Sequence, residues 1–438
     1  MKPKLQRTAV AFSLTAAISV CSAATPAVEN ILTEQAELVD QQYNNLEPEM
    51  FARNQVLYYM ERGKIAFDAE DFDLAAELFD KAIVGIEKVY SKHPDAQKAR
   101  QLMYEEKRKP FKGEAYERAM VFYYRGLLDL MNHDYENARA SFESGLLQDS
   151  MGQNRDFLQD FATLEYLSGW AGRCAGFNDL SEQSFKRAHQ LNPTLKTPQK
   201  NKRTLIIGES GIVPFKYYSA DLGGELRYWQ HPLDSLTIGQ MRYGKTTLPY
   251  SDELYYQART RGARIADQIA YAKANTKQIA AEAGGTTQDL AGIAMGIVQV
   301  TQLIPGLNLI SMGLVGISSA GIAATAAISE FTDAIGTGVD IRQWKMLPNR
   351  LYITTSGNSA KKTLRYINFV DQYDNRIAKN TTVLAGKGKC QLVRSTNLGL
   401  NTIQLGNWDA VQLKLSARNY PVYGNSKVWQ EVENDAAK

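Results

Sequence analysis

A spacing of small and aromatic residues that recurs three times constrains this chain more than any other feature. In the central copy the series is Gly126, Tyr135, Ala138 and Phe142. Two antiparallel helices joined by a short turn need a small residue, a turn aromatic, a second small residue and a core aromatic at such positions. Small residues let helices approach closely, and aromatic rings fill the space between neighbouring hairpins. The spacing therefore predicts stacked helix–turn–helix units.

The same frame occurs on both sides of the central copy. The upstream copy contains Gly63, Phe72, Ala75, Phe79 and Ala82, and the downstream copy contains Gly169, Phe185, Ala188 and Pro193. This pattern resembles the tetratricopeptide repeat, and the resemblance implies a helical repeat domain over residues 27–196. Three hairpins are the usual minimum for such a stack. We expect them at residues 57–90, 113–147 and 156–191.

After residue 196 the pattern changes to short apolar runs typical of β-strands. We expect a mixed α+β domain with short strands over residues 203–438, and an α+β fold class for the whole chain. A length of 438 residues is sufficient for two or three domains. Strands are expected at residues 204–207, 212–218, 350–356 and 363–370, with two more between 383 and 393, and a helix at residues 255–281.

The first 24 residues have the pattern of a secretory signal peptide. Lys2, Lys4 and Arg7 precede an apolar run over residues 8–20 that is too short to span a bilayer comfortably. Residues 22–24 are small, as a cleavage site requires. Lipidation of Cys21 is an alternative form of processing, although valine at position 20 departs from the usual small residue.

Removal of the signal leaves two cysteines, Cys174 and Cys390, which lie in different predicted domains. An exported chain could join them in a disulfide. Because cysteine is among the residues most often buried, we expect two buried free thiols and leave the pairing open.

Residues 290–329 are rich in glycine, alanine and isoleucine, and they carry no charged side chain. Pro305 and Gly306 interrupt this run, which predicts an apolar helical hairpin over residues 288–330. Each helix would be near the lower length limit for a membrane span. Gln299, Gln302 and Asn308 would need hydrogen-bond partners in lipid. We favour a hairpin buried in the protein, and insertion into a membrane remains the alternative.

Residues 239–246 match the phosphate-binding pattern that ends in Gly244, Lys245 and Thr246. In that motif backbone N–H groups surround a phosphate, the lysine neutralises it and the hydroxyl binds magnesium. A long helix must follow, yet Pro249 comes three residues after Thr246. We therefore expect an ordinary turn, and nucleotide binding remains an alternative function.

The rest of the sequence offers no catalytic or metal-binding motif. The four histidines are scattered, and we expect each to be a surface or capping residue rather than a metal ligand. The net charge of +3 comes without a long basic run, which argues against nucleic acid as a partner. We expect no cofactor, no metal and no enzymatic activity. The histidines are His93, His133, His189 and His231.

Three further stretches, residues 111–118, 211–216 and 340–352, carry a second resemblance. Together they resemble an uncharacterised bacterial family of exported tetratricopeptide-like proteins, many of them lipoproteins. The resemblance covers about residues 51–370. It implies a location in the periplasm or at the outer membrane, and it implies no particular activity.

The residues of the last stretch have a structural interpretation. Asp340 and Arg342 are two apart in an extended segment, so their side chains would point the same way and could pair. Trp344 would bury a large ring, and Pro348 would fix the start of a strand. We expect these residues to hold structure rather than to bind a ligand.

These observations predict an exported envelope scaffold that binds a protein or peptide through the concave face of its repeats. In tetratricopeptide repeats the first helix of each hairpin lines that face, and aromatic residues and arginine are common at interface hot spots. Gly63, Gly126 and Gly169 would be structural. The partner and the oligomeric state are not given by the sequence. The candidate contact residues are Lys64, Phe67, Tyr123, Leu127, Tyr166, Trp170 and Arg173.

Overall fold

In a computed structural model of the chain, the described residues before position 200 form helices and most of those after it form strands. The structure describes residues 26–90, 110–150, 160–219, 225–229, 240–260, 340–370, 374, 376–377 and 380–397. Within these ranges the fold is mixed α+β, as predicted. None of the helices there has the length and hydropathy needed to cross a bilayer. The predicted apolar hairpin, residues 288–330, lies outside the described residues.

Among the described residues, seven helices form the N-terminal part, and two short ones lie among the strands. After α1, the helices α2 with α3, α4 with α5 and α6 with α7 form three hairpins in the regions predicted for them. A short 3₁₀ turn, Leu364–Tyr366, follows the last helix. The bounds are α1 Pro26–Asn44, α2 Pro48–Asp68, α3 Phe72–Tyr90, α4 Ala115–Met131, α5 Tyr135–Ser150, α6 Ala162–Ala175, α7 Asn178–Leu191, α8 Leu254–Thr260 and α9 Ala360–Thr363.

Each hairpin contains the same contact between a glycine and a phenylalanine ring. A Cβ atom added to Gly126 would lie 2.5 Å from the ring of Phe142. The corresponding distance is 2.9 Å from Gly63 to Phe79 and 2.9 Å from Gly169 to Phe185. Because real Cβ atoms do not approach so closely, any larger side chain would push the two helices apart.

The turns of the hairpins are also alike. Glu70, His133 and Gly176 occupy the same position of the frame, and all three have a positive φ, of 64°, 61° and 89°. A left-handed residue of this kind commonly ends a helix. Asp71 and Asp134 come next, and each accepts a hydrogen bond from a backbone N–H of the first turn of the following helix. The residue that ends the first helix and the residue that caps the second are therefore neighbours in sequence.

Eleven strands in the described ranges form two larger sheets and one separate hairpin. The first sheet has the order β10-β11-β1-β7-β6, the second has the order β5-β4-β8-β9, and β2 pairs with β3. In the first sheet β1 runs parallel to β11 and antiparallel to β7. The strands are β1 Thr204–Ser210, β2 Phe215–Ser219, β3 Glu225–Trp229, β4 Gln240–Tyr243, β5 Thr246–Leu248, β6 Asp252–Glu253, β7 Arg350–Ser356, β8 Ile367–Val370, β9 Arg376–Ile377, β10 Asn380–Ala385 and β11 Gln391–Thr396.

The five-stranded sheet lies between the helices and the second sheet. Leu205 and Ile207 of β1 belong to one large core that also contains the helical residues. Ile206, between them, packs with Met241 and Phe369 of the second sheet. Successive side chains of a strand point to opposite faces, so β1 is buried throughout. The boundary near residue 200 thus separates two layers that share a core.

Several predicted elements differ from the structure in their bounds. The strand expected at residues 363–370 begins at Ile367, because residues 360–366 form α9 and the 3₁₀ turn. The strand expected from residue 212 begins at Phe215. The helix expected at residues 255–281 is described as α8, which ends at Thr260, and its remainder lies outside the described residues.

Candidate functional site

The first helices of the three hairpins all lie against the five-stranded sheet. We call this surface of α2, α4 and α6 the inner face. Asp68 of α2 accepts a hydrogen bond from β11, and Glu70 in the turn after α2 accepts one from β10. Tyrosine side chains of α4 bond to β1, and the start of α6 bonds to β6. The order of the helices thus follows the order of the strands. The inner face is the concave face of our sequence prediction, and the chain's own sheet covers it.

A buried network of charges connects α2 to the sheet. We call Lys64, Asp68, Glu209 and Arg394, together with the hydroxyls of two tyrosines, the interface network. Lys64 pairs with Asp68 one helical turn away. Arg394 donates to Asp68 over 2.7 Å, and it donates to both oxygens of Glu209 over 3.0 and 2.6 Å. All four side chains are at most 5% exposed, and their charges balance.

Aromatic side chains surround these charges. The hydroxyls of Tyr123 and Tyr124 donate to the two oxygens of Glu209 over 3.1 and 3.2 Å. The Lys64 ammonium lies 5.3 Å from the centre of the Tyr124 ring, and the Arg394 guanidinium lies 5.0 Å from the Phe67 ring. Such positions over aromatic faces partly replace the water that the cations lose on burial.

The titration behaviour of the network follows from burial and from pairing. Burial lowers the pKa of Lys64, although Asp68 opposes this effect. Burial also acts to raise the pKa of Asp68, but Lys64 and Arg394 outweigh it and leave that pKa below its ordinary value. Burial and the charge of Glu209 raise the pKa values of Tyr123 and Tyr124 well above the usual range. The two tyrosines are therefore neutral, and Asp68 is ionised.

A second buried cluster, which we call the motif junction, joins α4 to two extended segments. Glu117 forms an ion pair with Lys216 at 2.5 Å and accepts the backbone N–H of Trp344 at 2.7 Å. The Lys216 ammonium also donates to the carbonyl of Arg342, at 2.9 Å. Burial raises the pKa of Glu117, and Lys216 opposes this rise. Glu117, Lys216 and Trp344 come one from each of the three stretches that carry the second resemblance.

The segment of residues 340–348 holds this junction in place. Arg342 pairs with Asp340 through two hydrogen bonds of 2.8 and 2.7 Å, as the sequence predicts. Its guanidinium also donates to Asn54 of α2 and lies 5.4 Å from the Phe111 ring. The Trp344 side chain is completely buried. Pro348 is buried and precedes β7 by two residues.

Asp252 makes a third connection, between the edge of the sheet and the start of α6. Its carboxylate accepts the backbone N–H groups of Ala162 and Thr163 over 3.3 and 2.6 Å. These are free donors of a helix N-terminus, which a carboxylate satisfies well. Burial nevertheless raises the pKa of Asp252 to about 7, because the hydrogen bonds only partly offset the loss of water.

Cys174 at the end of α6 and Cys390 next to β11 form a disulfide, with Cα atoms 6.0 Å apart. This corrects our expectation of two free thiols. The residues are 216 positions apart, so nothing in their local sequence indicates the pairing. The bond links the helical layer covalently to the sheet.

Most of the predicted contact residues are not accessible to a partner. Six of the seven are at most 3% exposed, because the sheet and the neighbouring helices cover them. Arg173 is half-buried, and it donates to the backbone carbonyls of Pro198 and Gln199. The structure therefore places six of these residues inside the protein. The six are Lys64, Phe67, Tyr123, Leu127, Tyr166 and Trp170.

The segment that matches the phosphate-binding pattern folds as a β-hairpin. Met241, Arg242 and Tyr243 pair with residues 246–248, and Gly244 turns the chain with a φ of 64°. Strand β5 thus stands where a phosphate-binding loop needs a helix. The segment is a turn, as predicted.

Metal ligands are not clustered in the described part of the chain, where no group of three or more suitable side chains occurs. His133 contacts the Tyr135 hydroxyl at 2.9 Å, and His189 contacts the carbonyl of Leu195 at 2.7 Å. His93 and His231 lie outside the described residues.

The sequence interpretation missed Glu209, Arg394, Glu117 and Asp252. A weak signal exists for two of them, since Glu209 and Arg394 are charged residues inside otherwise uncharged strands. A buried charge needs a partner of opposite sign, which could have prompted a search for pairs.

Comparisons of the chain with known protein families, with curated proteins and with solved structures found no match in any of the three. Its function can therefore be inferred only from its residues and their geometry.

Proposed function

We propose that the chain is an exported scaffold protein of the bacterial envelope, with interaction rather than catalysis as its role. The observation that carries the proposal is the disulfide between Cys174 and Cys390. Structural disulfides form and persist in oxidising compartments such as the periplasm. The signal-like pattern of residues 1–24 supports the same location from an independent part of the chain.

The three hairpins are, in this proposal, tetratricopeptide-like repeats. The shared glycine–phenylalanine contact and the shared left-handed turn residue support this classification. Repeats of this kind usually bind a peptide on their concave face. Here the chain's own sheet occupies that face, so the repeats act as a frame that holds the sheet.

A partner would then bind the outer surface of the hairpins. The second helices carry large apolar side chains in solvent: Val84 of α3 is 51% exposed, Leu147 of α5 is 52% exposed and Leu180 of α7 is 41% exposed. The interface network and the motif junction are closed to solvent, so they serve to hold the layers together and do not reach a substrate.

The location is tested by fractionation of cells and N-terminal sequencing of the purified protein. We expect the protein in the envelope fraction, with an N-terminus near residue 25, or at Cys21 if that residue is lipidated. Mass spectrometry without reductant should show the Cys174–Cys390 bond. A cytoplasmic protein that retains Met1 and has two free thiols would refute the proposal.

The interaction is tested by a photo-crosslinking residue placed at Leu180 or Val84. We expect one defined crosslinked product in the envelope, while the same residue at the polar, exposed position Gln183 of α7 gives less of it. Crosslinking from neither outer position would argue against a scaffold that binds through its second helices.

A further inference from the structure

Four connections of the β-layers meet at one end of the five-stranded sheet. Strand β1 begins beside the beginning of its parallel neighbour β11 and beside the end of its antiparallel neighbour β7. The connections that meet there are residues 196–203 before β1, residues 357–366 after β7 and residues 386–390 before β11. The turn between β4 and β5 is the fourth. We call this end of the molecule the basic end.

Hydrogen bonds hold these connections against one another. The N–H of Gln391 donates to the carbonyl of Arg203 over 2.8 Å, and Thr204 donates to the carbonyl of Asn358 over 2.7 Å. The side-chain oxygen of Gln391 accepts the N–H of Ala360 at 2.6 Å. The Cys174–Cys390 disulfide adds a covalent link. The segments therefore form one surface.

The turn between β4 and β5 joins this surface through three hydrogen bonds. The hydroxyl of Tyr243 lies 2.6 Å from that of Ser356 and accepts a hydrogen bond from Asn358 over 2.9 Å. The N–H of Gly244 donates to the carbonyl of Tyr366 over 2.8 Å. Lys245, the lysine of the motif-like sequence, is thus an exposed cation of the basic end.

The charge of these connections has one sign. Residues 196–203 carry three lysines and one arginine, residues 357–366 carry two lysines and one arginine, and residues 386–390 carry two lysines. None of the four connections contains an aspartate or a glutamate. Apart from Lys202, which is half-buried, all of these cations are exposed. The whole chain has a net charge of only +3, so the distribution is strongly uneven.

These cations are not used by the fold. Within the described residues none of the lysines and arginines of these four connections forms an ion pair. The cations of the interface network and of the motif junction, by contrast, are all paired and buried. Unpaired cations of one sign on one surface produce a positive potential that attracts an anionic partner.

We propose that the basic end docks the protein onto an anionic lipid surface, with phosphate headgroups as the groups recognised. Each lysine or arginine near such a surface adds to binding, and the cations here are spread over four connections rather than along a groove. Tyr366, which is 38% exposed and adjacent to Arg365, adds a side chain of the kind enriched at membrane interfaces.

The envelope location in the proposed function favours lipid over nucleic acid as the anionic partner. In other respects the inference is independent of that proposal, since it concerns the basic end and not the outer helices. Failure to bind vesicles would not change the crosslinking expected from Leu180. A cytoplasmic location would refute the proposed function but would not change the binding expected to anionic vesicles.

The test is co-sedimentation of the whole purified chain with vesicles. One set contains equal amounts of phosphatidylglycerol and phosphatidylethanolamine, and the other contains phosphatidylcholine alone. We expect binding to the anionic vesicles that weakens as salt is raised, because exposed charges are screened. Neutral vesicles report any binding that does not depend on charge.

Two variants locate the binding surface. Lys387→Gln with Lys389→Gln, and separately Lys361→Gln with Lys362→Gln, should each weaken partition onto anionic vesicles by about tenfold. The control, Lys81→Gln with Lys88→Gln, removes the same charge from exposed positions of α3 and should bind like the parent. Thermal melts of all three variants should match the parent.

Three results would overturn the inference: equal binding to both kinds of vesicle, loss of binding in the α3 control as large as in the basic-end variants, or displacement from anionic vesicles by a DNA duplex at equal phosphate concentration. The last result would assign the basic end to nucleic acid.

Discussion

The contact that all three hairpins share is apolar, whereas the contacts between the hairpins and the sheet combine an apolar core with buried charges. Inside a hairpin, a glycine such as Gly126 meets a ring such as Phe142, and the two residues are close in sequence. Between the layers, charged side chains meet over long separations, as Arg394 meets Asp68. The first kind of contact sets how closely two helices approach. The second sets which surface of the helices the sheet covers.

This difference predicts a difference in sensitivity. An apolar contact loses packing energy when one side chain changes, whereas a buried ion pair leaves an uncompensated charge when one partner is removed. Substitutions at the layer interface should therefore cost more stability than substitutions inside a hairpin.

Arg394→Met should have the largest effect. Asp68 and Glu209 would remain buried with Lys64 as the sole nearby cation of the interface network, which should cost about 3–5 kcal/mol. Urea unfolding measures the loss. Arg203→Met is the control, because this exposed arginine should contribute within about 0.5 kcal/mol. Adding Glu209→Gln to Arg394→Met should recover part of the stability. A loss below about 1 kcal/mol for Arg394→Met would show that the network does not hold the layers together.

Replacement of both cysteines, Cys174→Ala with Cys390→Ala, should cost about 2–5 kcal/mol. The bond joins residues far apart in sequence, so its removal frees many conformations of the unfolded chain. Unfolding with and without dithiothreitol measures the effect. Reductant should destabilise the parent and leave the double variant unchanged. If both proteins respond alike, the disulfide does not stabilise the fold.

Gly126→Ala should cost about 1–3 kcal/mol, because the added Cβ would overlap the Phe142 ring. An exposed glycine inside a helix would behave in the opposite way, gaining up to about 1 kcal/mol. A thermal melt distinguishes the two signs. In the background of Phe142→Leu the cost of Gly126→Ala should shrink, since the ring that it overlaps is gone. A melting temperature above that of the parent would contradict the contact.

Asp252→Asn should have the smallest effect of the four variants, and the effect should appear in how stability depends on pH. Burial raises the pKa of Asp252 to about 7 from an ordinary value of 3.8, so the folded protein holds this proton more tightly than the unfolded chain. The resulting stability is complete below about pH 4 and is lost as the pH rises through 7. Between pH 6 and 8 the parent should lose about 1 kcal/mol more than the variant.

Urea midpoints at several pH values measure this difference. Glu165 titrates in the same range, because burial raises its pKa to about 7 as well. Glu165→Gln is the control: it should remove only the part of the pH dependence that Glu165 causes and leave the part that Asp252 causes. Parallel pH profiles for the parent and Asp252→Asn would mean that this carboxylate does not titrate in that range.

The sequence predicted the hairpins well because their determinants are local. Gly63, Gly126 and Gly169 each precede their contact ring by the same number of residues, and Asp71 and Asp134 mark the starts of helices. The bounds of β8 were less well predicted, because Leu364 and Tyr366 are apolar or aromatic but belong to a 3₁₀ turn.

The sequence predicted which residues of the first helices would group together, but it did not predict that they would be buried. Lys64 and Tyr123 do meet in the interface network against the sheet, and Trp170 is buried as well. Their accessibility depended on whether another part of the chain would cover that face. The residues of the repeats do not indicate which segment covers the face, since an apolar and aromatic helix surface fits a peptide or a sheet equally well.

Taken by itself, the sequence determined the three hairpins, their turns and the pairing of Asp340 with Arg342, because each depends on residues within one or two turns of chain. The tertiary structure decided the cover of the inner face, the disulfide and the partners of Glu209 and Arg394. The physical reason is that a buried charge or thiol is stabilised by whichever group folding brings within a few ångströms. That group can lie hundreds of residues away and leaves no periodic mark on the sequence.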